Sequence, residues 1–204
     1  MGRSKKDFEY VVNSIFKRIQ EVIMEYKIEV FSRLYPVLND FLYHYISYKE
    51  LHTIIEDLPG DKEFWVRSCD AHLKVAATSW CMAFGSKESN QTHWKNLFEQ
   101  NDKDTVEEFR EYILQQDNSS AEQWASCWTE MVSFRNQYIV HRELKFNNSV
   151  PYFDFAYKVT LWFDLWIREK IKPDFLDFET FDRISLDYHN KIRDTLIIVR
   201  DNSK

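Results

Sequence analysis

Turn-forming residues are scarce in this chain: three Gly and four Pro among 204 residues. A β-sandwich or barrel needs frequent tight turns, and Gly and Pro supply many of them. Their scarcity excludes a turn-rich β architecture and leaves long helices. Cysteine is sparse as well. Cys69, Cys81 and Cys127 are odd in number and irregular in spacing, which is no disulfide framework. Cys69 and His72 could share a helix face with Cys81 nearby, but a structural zinc site needs four such ligands, so these read as thiols buried on helices. No run of about 20 apolar residues is present, so no membrane span is expected. The basic start, Met1 to Lys6, leads into no continuous apolar stretch, and Lys6 stands where a myristoylation pattern needs Ser or Thr. The expectation is a cytoplasmic chain. Positive charge is also in deficit, 27 Lys and Arg against 33 Asp and Glu, for a formal charge of −6. That counts against broad non-specific nucleic-acid binding, which needs a basic face. It leaves room for a small basic site holding one or two phosphates.

Apolar residues are plentiful: 44% hydrophobic and 17% aromatic, with seven Trp. A chain of this length can bury one substantial core. No repeat, low-complexity tract or linker divides it, so residues 1–204 read as a single domain.

Helical periodicity runs through most of it. Val11, Ile15, Ile19, Val22, Tyr26 and Val30 recur at spacings of three and four and predict a helix over 7–34, interrupted at Tyr35-Pro36. Leu38, Phe41, Leu42, Tyr45, Tyr48 and Leu51 predict a second helix to about Asp57, before a Pro59-Gly60 turn. A third helix starts at the N-cap Asp61 and ends at Phe84, with Gly85 as a positive-φ C-cap. A polar loop follows to Thr92, then a short helix over 105–115. Ser120 caps a fifth helix over 121–143, with Glu122 and Gln123 in its first turn. Pro151 opens a sixth helix with Asp154 in its first turn, which Pro173 stops. A last helix covers 178–200. The expected fold is an all-α, up-and-down bundle with additional helices.

On the fifth helix, at about 100° per residue, Trp124, Trp128, Met131 and Tyr138 form one stripe. Arg135 lies within it, and Arg135 and His141 bracket Tyr138 along about 9 Å of helix. A guanidinium on an apolar stripe must pair with an internal carboxylate, reach the surface along its own stem, or face a cleft or subunit interface that takes an anion. The third arrangement suits RNA cleavage. Attack of a 2′-hydroxyl on the adjacent phosphate needs a proton acceptor, a proton donor and positive charge on the phosphoryl oxygens. His serves as acid or base near neutrality, and Arg offers a fixed fork to phosphate. Asn136 supplies an amide for positioning. No metal and no cofactor is called for. One His per chain is too few for both proton transfers, but a two-fold homodimer would supply two.

The segment Phe134-Arg135-Asn136-Gln137-Tyr138-Ile139-Val140-His141 resembles the signature of the HEPN superfamily: Arg, an adjacent polar residue, then His on a helix. Trp80-Cys81, Phe84-Gly85-Ser86, His93-Trp94 and Pro151-Tyr152-Phe153-Asp154 around it are similar to the abortive-infection AbiU-like branch. The resemblance implies a HEPN-like bundle and a metal-independent endoribonuclease assembled at a homodimer interface. Arg135, Asn136 and His141 would be its catalytic residues, acting in phage defence or a toxin-like stress response. Glu143 stands where HEPN toxins paired with nucleotidyltransferase antitoxins carry a Tyr, so regulation through such a Tyr is not implied.

Spacing alone is a poor filter. Arg67 with His72 and Arg183 with His189 match it too, but only Arg135 is followed directly by Asn. Further substrate contacts are expected from Arg142, Lys145, His93 and Trp94. His93 could act as a second proton carrier and Trp94 could stack on a base, or the pair could simply anchor the loop. The rival reading is a non-catalytic helical module, a structural, antitoxin or immunity partner of another defence protein. In it, Arg135 pairs with an internal carboxylate and His141 is a structural hydrogen bonder.

Overall fold

The computed structural model describes residues 26–98, 103–141, 149–171 and 178–202. It is an all-helical bundle of six helices: α1 (Ile28–Ile54), α2 (Lys62–Phe84), α3 (Lys103–Leu114), α4 (Ala121–Ser133), α5 (Phe153–Lys170) and α6 (Phe181–Asp201). Most of the helix expected over 7–34 lies outside the described residues, as do Arg142, Glu143, Lys145 and Pro173.

Pro36 does not interrupt the chain where the sequence pattern places a break; α1 runs through it. A proline removes its own N–H bond to the carbonyl four residues back, here that of Ser32. Both Pro36 and Ser32 are exposed, so that carbonyl turns to water, while buried Phe31, Leu34, Tyr35 and Leu38 hold both sides of the helix to the core. Asp61 caps α2 as expected, accepting from the Glu63 N–H at 2.8 Å. Gly85 ends that helix for a different reason from the one expected. Its φ is −75°, and a Cβ there would lie 2.5 Å from the Cys81 carbonyl oxygen. The Gly85 N–H instead donates to that oxygen at 2.9 Å. Close approach, not positive φ, requires glycine here; Gly60, at φ 84°, does use the left-handed region. The Ser120 capping box forms: Gln123 N–H donates to Ser120 Oγ at 3.2 Å, and Ser120 N–H donates to Gln123 Oε1 at 2.9 Å. Pro151 stands two residues ahead of α5, which opens at Phe153.

The main core joins α1, α2, α4 and α5 through Phe41, Trp80, Phe84, Met131, Phe163 and Trp166, with Phe109 of α3 and Phe181 of α6. A smaller cluster of Leu51, Leu58, Cys69 and Leu196 closes the other end of α1, α2 and α6. One polar group organises the junction of α1, α5 and α6. Asp164, only 1% exposed, accepts from the Phe181 N–H at 2.8 Å, from Arg168 Nε at 2.9 Å and from the Tyr35 hydroxyl. Arg168 also donates to the carbonyls of Phe178, at 2.8 Å, and Glu179, at 2.6 Å. Burial pushes the Asp164 carboxyl above the usual range, opposed by the Phe181 N–H and Arg168.

Three histidines are held with their pKa values depressed. His44 on α1 and His72 on α2 face each other, Nδ1 to Nδ1 at 2.9 Å, and burial lowers both. Burial drives His93 down to about 4, helped by the neighbouring Lys95 charge.

Two outcomes follow. Asp164→Ala lowers unfolding stability by about 3–5 kcal/mol because it strands the Arg168 charge. The double variant Asp164→Leu/Arg168→Leu loses less than the two single losses summed, as urea unfolding of the four proteins would show. Stability should also fall on acidification from pH 6.5 toward 4. There the unfolded chain takes up protons on His93, His44 and His72 that the folded chain refuses. His93 alone contributes about 3 kcal/mol. A flat stability profile in urea titrations across that window would contradict it.

Candidate functional site

After Ser133, α4 does not continue as an α-helix. Residues Phe134–Val140 form a π-helical turn, closed by the His141 N–H donating to the Asn136 carbonyl at 2.9 Å. Hydrogen bonds to the fifth residue back widen the turn, so each residue advances less around the axis. The wheel at 100° per residue therefore holds as far as Phe134 and overstates the rotation beyond it. Segments of this kind inside α-helices occur often at functional sites.

Aromatic packing holds the wide turn. Phe134 is buried, stacks on Tyr138 with ring centroids 5.0 Å apart and meets Phe153 edge-on. The Tyr138 hydroxyl reaches Asp70 Oδ1 of α2 at 3.3 Å, and Lys74, paired with Asp70, sits over the Tyr138 ring at 5.6 Å. Tyr138 is thus a tie between the motif and α2.

The motif residues themselves are less engaged. Arg135 is half-buried; its Nε is buried and has no hydrogen-bond partner among the described residues. Its guanidinium lies beside the Cys81 thiol, which burial pushes up to about 12 and which the adjacent charge and hydrogen bond draw back. No carboxylate pairs with Arg135 among the described residues. Asn136 is half-buried, and its carbonyl takes the His141 N–H. His141 is exposed at the end of the turn.

The other two Arg…His pairs look different. Arg67 donates through Nε to Glu63 at 2.9 Å, and His72 is engaged with His44. Arg183 Nε lies 3.3 Å from Glu179, and His189 Nδ1 lies 3.3 Å from Glu50. Arg67 is thus paired within its own helix, and Arg183 with a carboxylate just ahead of its helix.

His93 and Trp94 are not brought to Arg135 and His141 as open side chains. His93 is 2% exposed, with Nε2 3.1 Å from the Gly85 carbonyl and Nδ1 accepting from the Lys95 N–H at 3.1 Å. With both nitrogens occupied and its pKa driven down, it is a poor proton carrier. Trp94 is 3% exposed and is packed against Phe109, Phe163 and Trp166, which leaves little face for a base. The pair anchors the loop after Gly85. Cys81, which reads in sequence as a core thiol, proves to be the neighbour of Arg135; no spacing rule signals that contact. Among the described residues no three His, Cys, Asp or Glu side chains gather in a metal-holding group, and no helix is long and apolar enough to cross a membrane.

A half-buried guanidinium with no counter-charge among the described residues adds little to the stability of the fold. Arg135→Met should therefore leave the thermal midpoint unchanged or raise it, where a structural Arg would lower it by several degrees. Thermal melts of the two proteins decide between these outcomes.

Compared with family models, curated proteins and solved structures, the chain matches none.

Proposed function

We propose that the chain is a metal-independent endoribonuclease of the HEPN type that acts as a homodimer. The observation that carries this reading is the contrast among the three Arg…His pairs. Among the described residues, Arg135 alone of the three keeps a half-buried guanidinium without a carboxylate, on the turn that ends in an exposed His141. A cation left uncompensated in that way is a receptor for an anion supplied from outside.

In the reaction, His141 of one protomer accepts the proton of the 2′-hydroxyl as O2′ attacks phosphorus. The bond from phosphorus to O5′ breaks, and the partner subunit's His141 donates a proton to that leaving oxygen. The products are a 2′,3′-cyclic phosphate and a free 5′-hydroxyl, with no net change in protons. Arg135 holds the phosphoryl oxygens through the step, and Asn136 positions substrate or His141. Exposed Val140, beside His141, offers the apolar contact that a second protomer would cover. A role in phage defence or a toxin-like response follows from the family resemblance.

Purified protein incubated with total RNA in the presence of a chelator should produce fragments ending in 2′,3′-cyclic phosphate. His141→Ala and Arg135→Ala should each reduce the rate by about 10²–10⁴-fold. Equal cleavage by all three proteins would mark a contaminant and defeat the proposal. No cleavage by a folded wild-type dimer would leave the non-catalytic module.

A further inference from the structure

Beyond the motif, a cleft of about 420 Å³ opens between the loop after Gly85, α3 and α4. Three cations line it, Lys87, Lys95 and Arg110, together with the half-buried indoles of Trp124 and Trp128. In a chain of charge −6, such convergence is unusual. Neither Lys87 nor Lys95 has a carboxylate at ion-pair distance among the described residues, while Arg110 pairs with Glu107 at 3.0 Å. Glu88 stands on the rim as the only carboxylate among the lining residues. The cations feel one another: the Lys95 ammonium is lowered by burial first, then by Arg110 and Lys87, and Glu88 opposes. Its Nζ sits 5.8 Å from the Trp94 ring centroid, so the stem is packed while the charge stays in the cleft.

We infer that this cleft binds a nucleoside phosphate, with the base against Trp124 and Trp128 and the phosphate among Lys87, Lys95 and Arg110. The size falls within the range of small-ligand sites. Trp128 is fixed for stacking because its indole N–H donates to the Phe84 carbonyl at 2.9 Å. Trp124 is braced by Trp80, with ring centroids 6.1 Å apart. Base-on-indole stacking tolerates any base, and clustered Lys and Arg supply the phosphate affinity. Trp128 lies on α4, and Arg135 follows about 10 Å farther along, on the π-helical turn that continues it. A strand whose scissile phosphate lies at Arg135 can therefore place a neighbouring nucleotide in the cleft. In that form the inference rests on the nuclease reading; as a site for a free mononucleotide it stands independently.

Calorimetric titration of 5′-AMP, of a six-nucleotide oligouridylate and of inorganic phosphate into the full chain tests it, with His141→Ala protein used for the RNA arm. Saturable binding of AMP, of the RNA or of both is expected, with AMP-only and RNA-only results separating the free nucleotide from the strand. Lys87→Glu/Lys95→Glu should weaken that binding at least tenfold at an unchanged melting temperature, and Trp124→Leu should weaken it while leaving phosphate affinity alone. Binding of neither nucleotide nor RNA overturns the inference, as does phosphate binding as tightly as AMP. So does unchanged affinity in the Lys double variant. RNA cleavage whose KM is unchanged in that variant overturns the strand form of the inference and leaves the nuclease intact. AMP binding without any RNA cleavage supports the cleft and removes the nuclease.

Discussion

The carboxylate of Asp164 is the constraint on which the arrangement of the bundle depends. It is almost fully buried, and it accepts from three donors on three separate parts of the chain: the Tyr35 hydroxyl of α1, Arg168 of α5 and the first N–H of α6. A hydrophobic core is indifferent to small slides and rotations of one helix on another, because burial is non-directional. A buried carboxylate is not: each lost donor leaves charge in a medium that solvates it poorly. The Asp164 group therefore selects one register among the packings that α1, α5 and α6 could otherwise share. Burial pushes its carboxyl pKa above the usual range, so the selection is made against a desolvation cost.

From that junction the order propagates to the motif through aromatic contacts. Phe163 precedes Asp164 on α5 and meets Phe84 of α2 edge-on. Phe84 in turn offers its carbonyl to Trp128 of α4. Farther up α5, Phe153 packs on Phe134, the first residue of the wide turn. The segment carrying Arg135 is thus held by rigid rings on either side, and Tyr138 adds the tie to α2. His141, just past the last of these contacts, is exposed. The arrangement puts a half-buried cation and an exposed imidazole on one turn, and on the proposed reading the first would hold the phosphate while the second stays accessible for proton transfer.

Much of the fold was legible because periodicity and caps are local. The apolar stripes of α1 and α2, the Asp61 cap and the Ser120 capping box each depend on residues within a few positions of one another. What could not be read depends on contacts across the chain. Pro36 breaks an isolated helix, but here tertiary packing of Phe31, Leu34 and Leu38 outweighs one lost hydrogen bond on the wet face. Gly85 signals a helix end, yet its reason, the approach to the Cys81 carbonyl, is a matter of backbone geometry that composition does not encode. His93 and Trp94 drew attention as a polar and aromatic pair in a loop; only the three-dimensional core shows both enclosed. The π-helical turn has no residue signature at all, so the wheel that put Arg135 on the apolar stripe had to misplace His141. For the site, the Asn after Arg135 sets that copy apart in the sequence, and the ion pairs of Arg67 and Arg183 set the other two apart in the structure.

On the proposed reading, the state of Arg135 would bear on dimerisation as well as on anion binding. Two protomers joined about a two-fold axis at this turn would bring two uncompensated guanidiniums toward each other. At separations shorter than the Debye length, about 8 Å at physiological ionic strength, their repulsion is little screened. A phosphodiester seated between them replaces repulsion with two attractions. Substrate and self-association then favour one another by linkage, since whatever binds the paired state better stabilises it. On that reading, no internal carboxylate would need to be kept opposite Arg135. A permanent counter-ion would satisfy the fold, but it would compete with phosphate for the one cation that the turn presents.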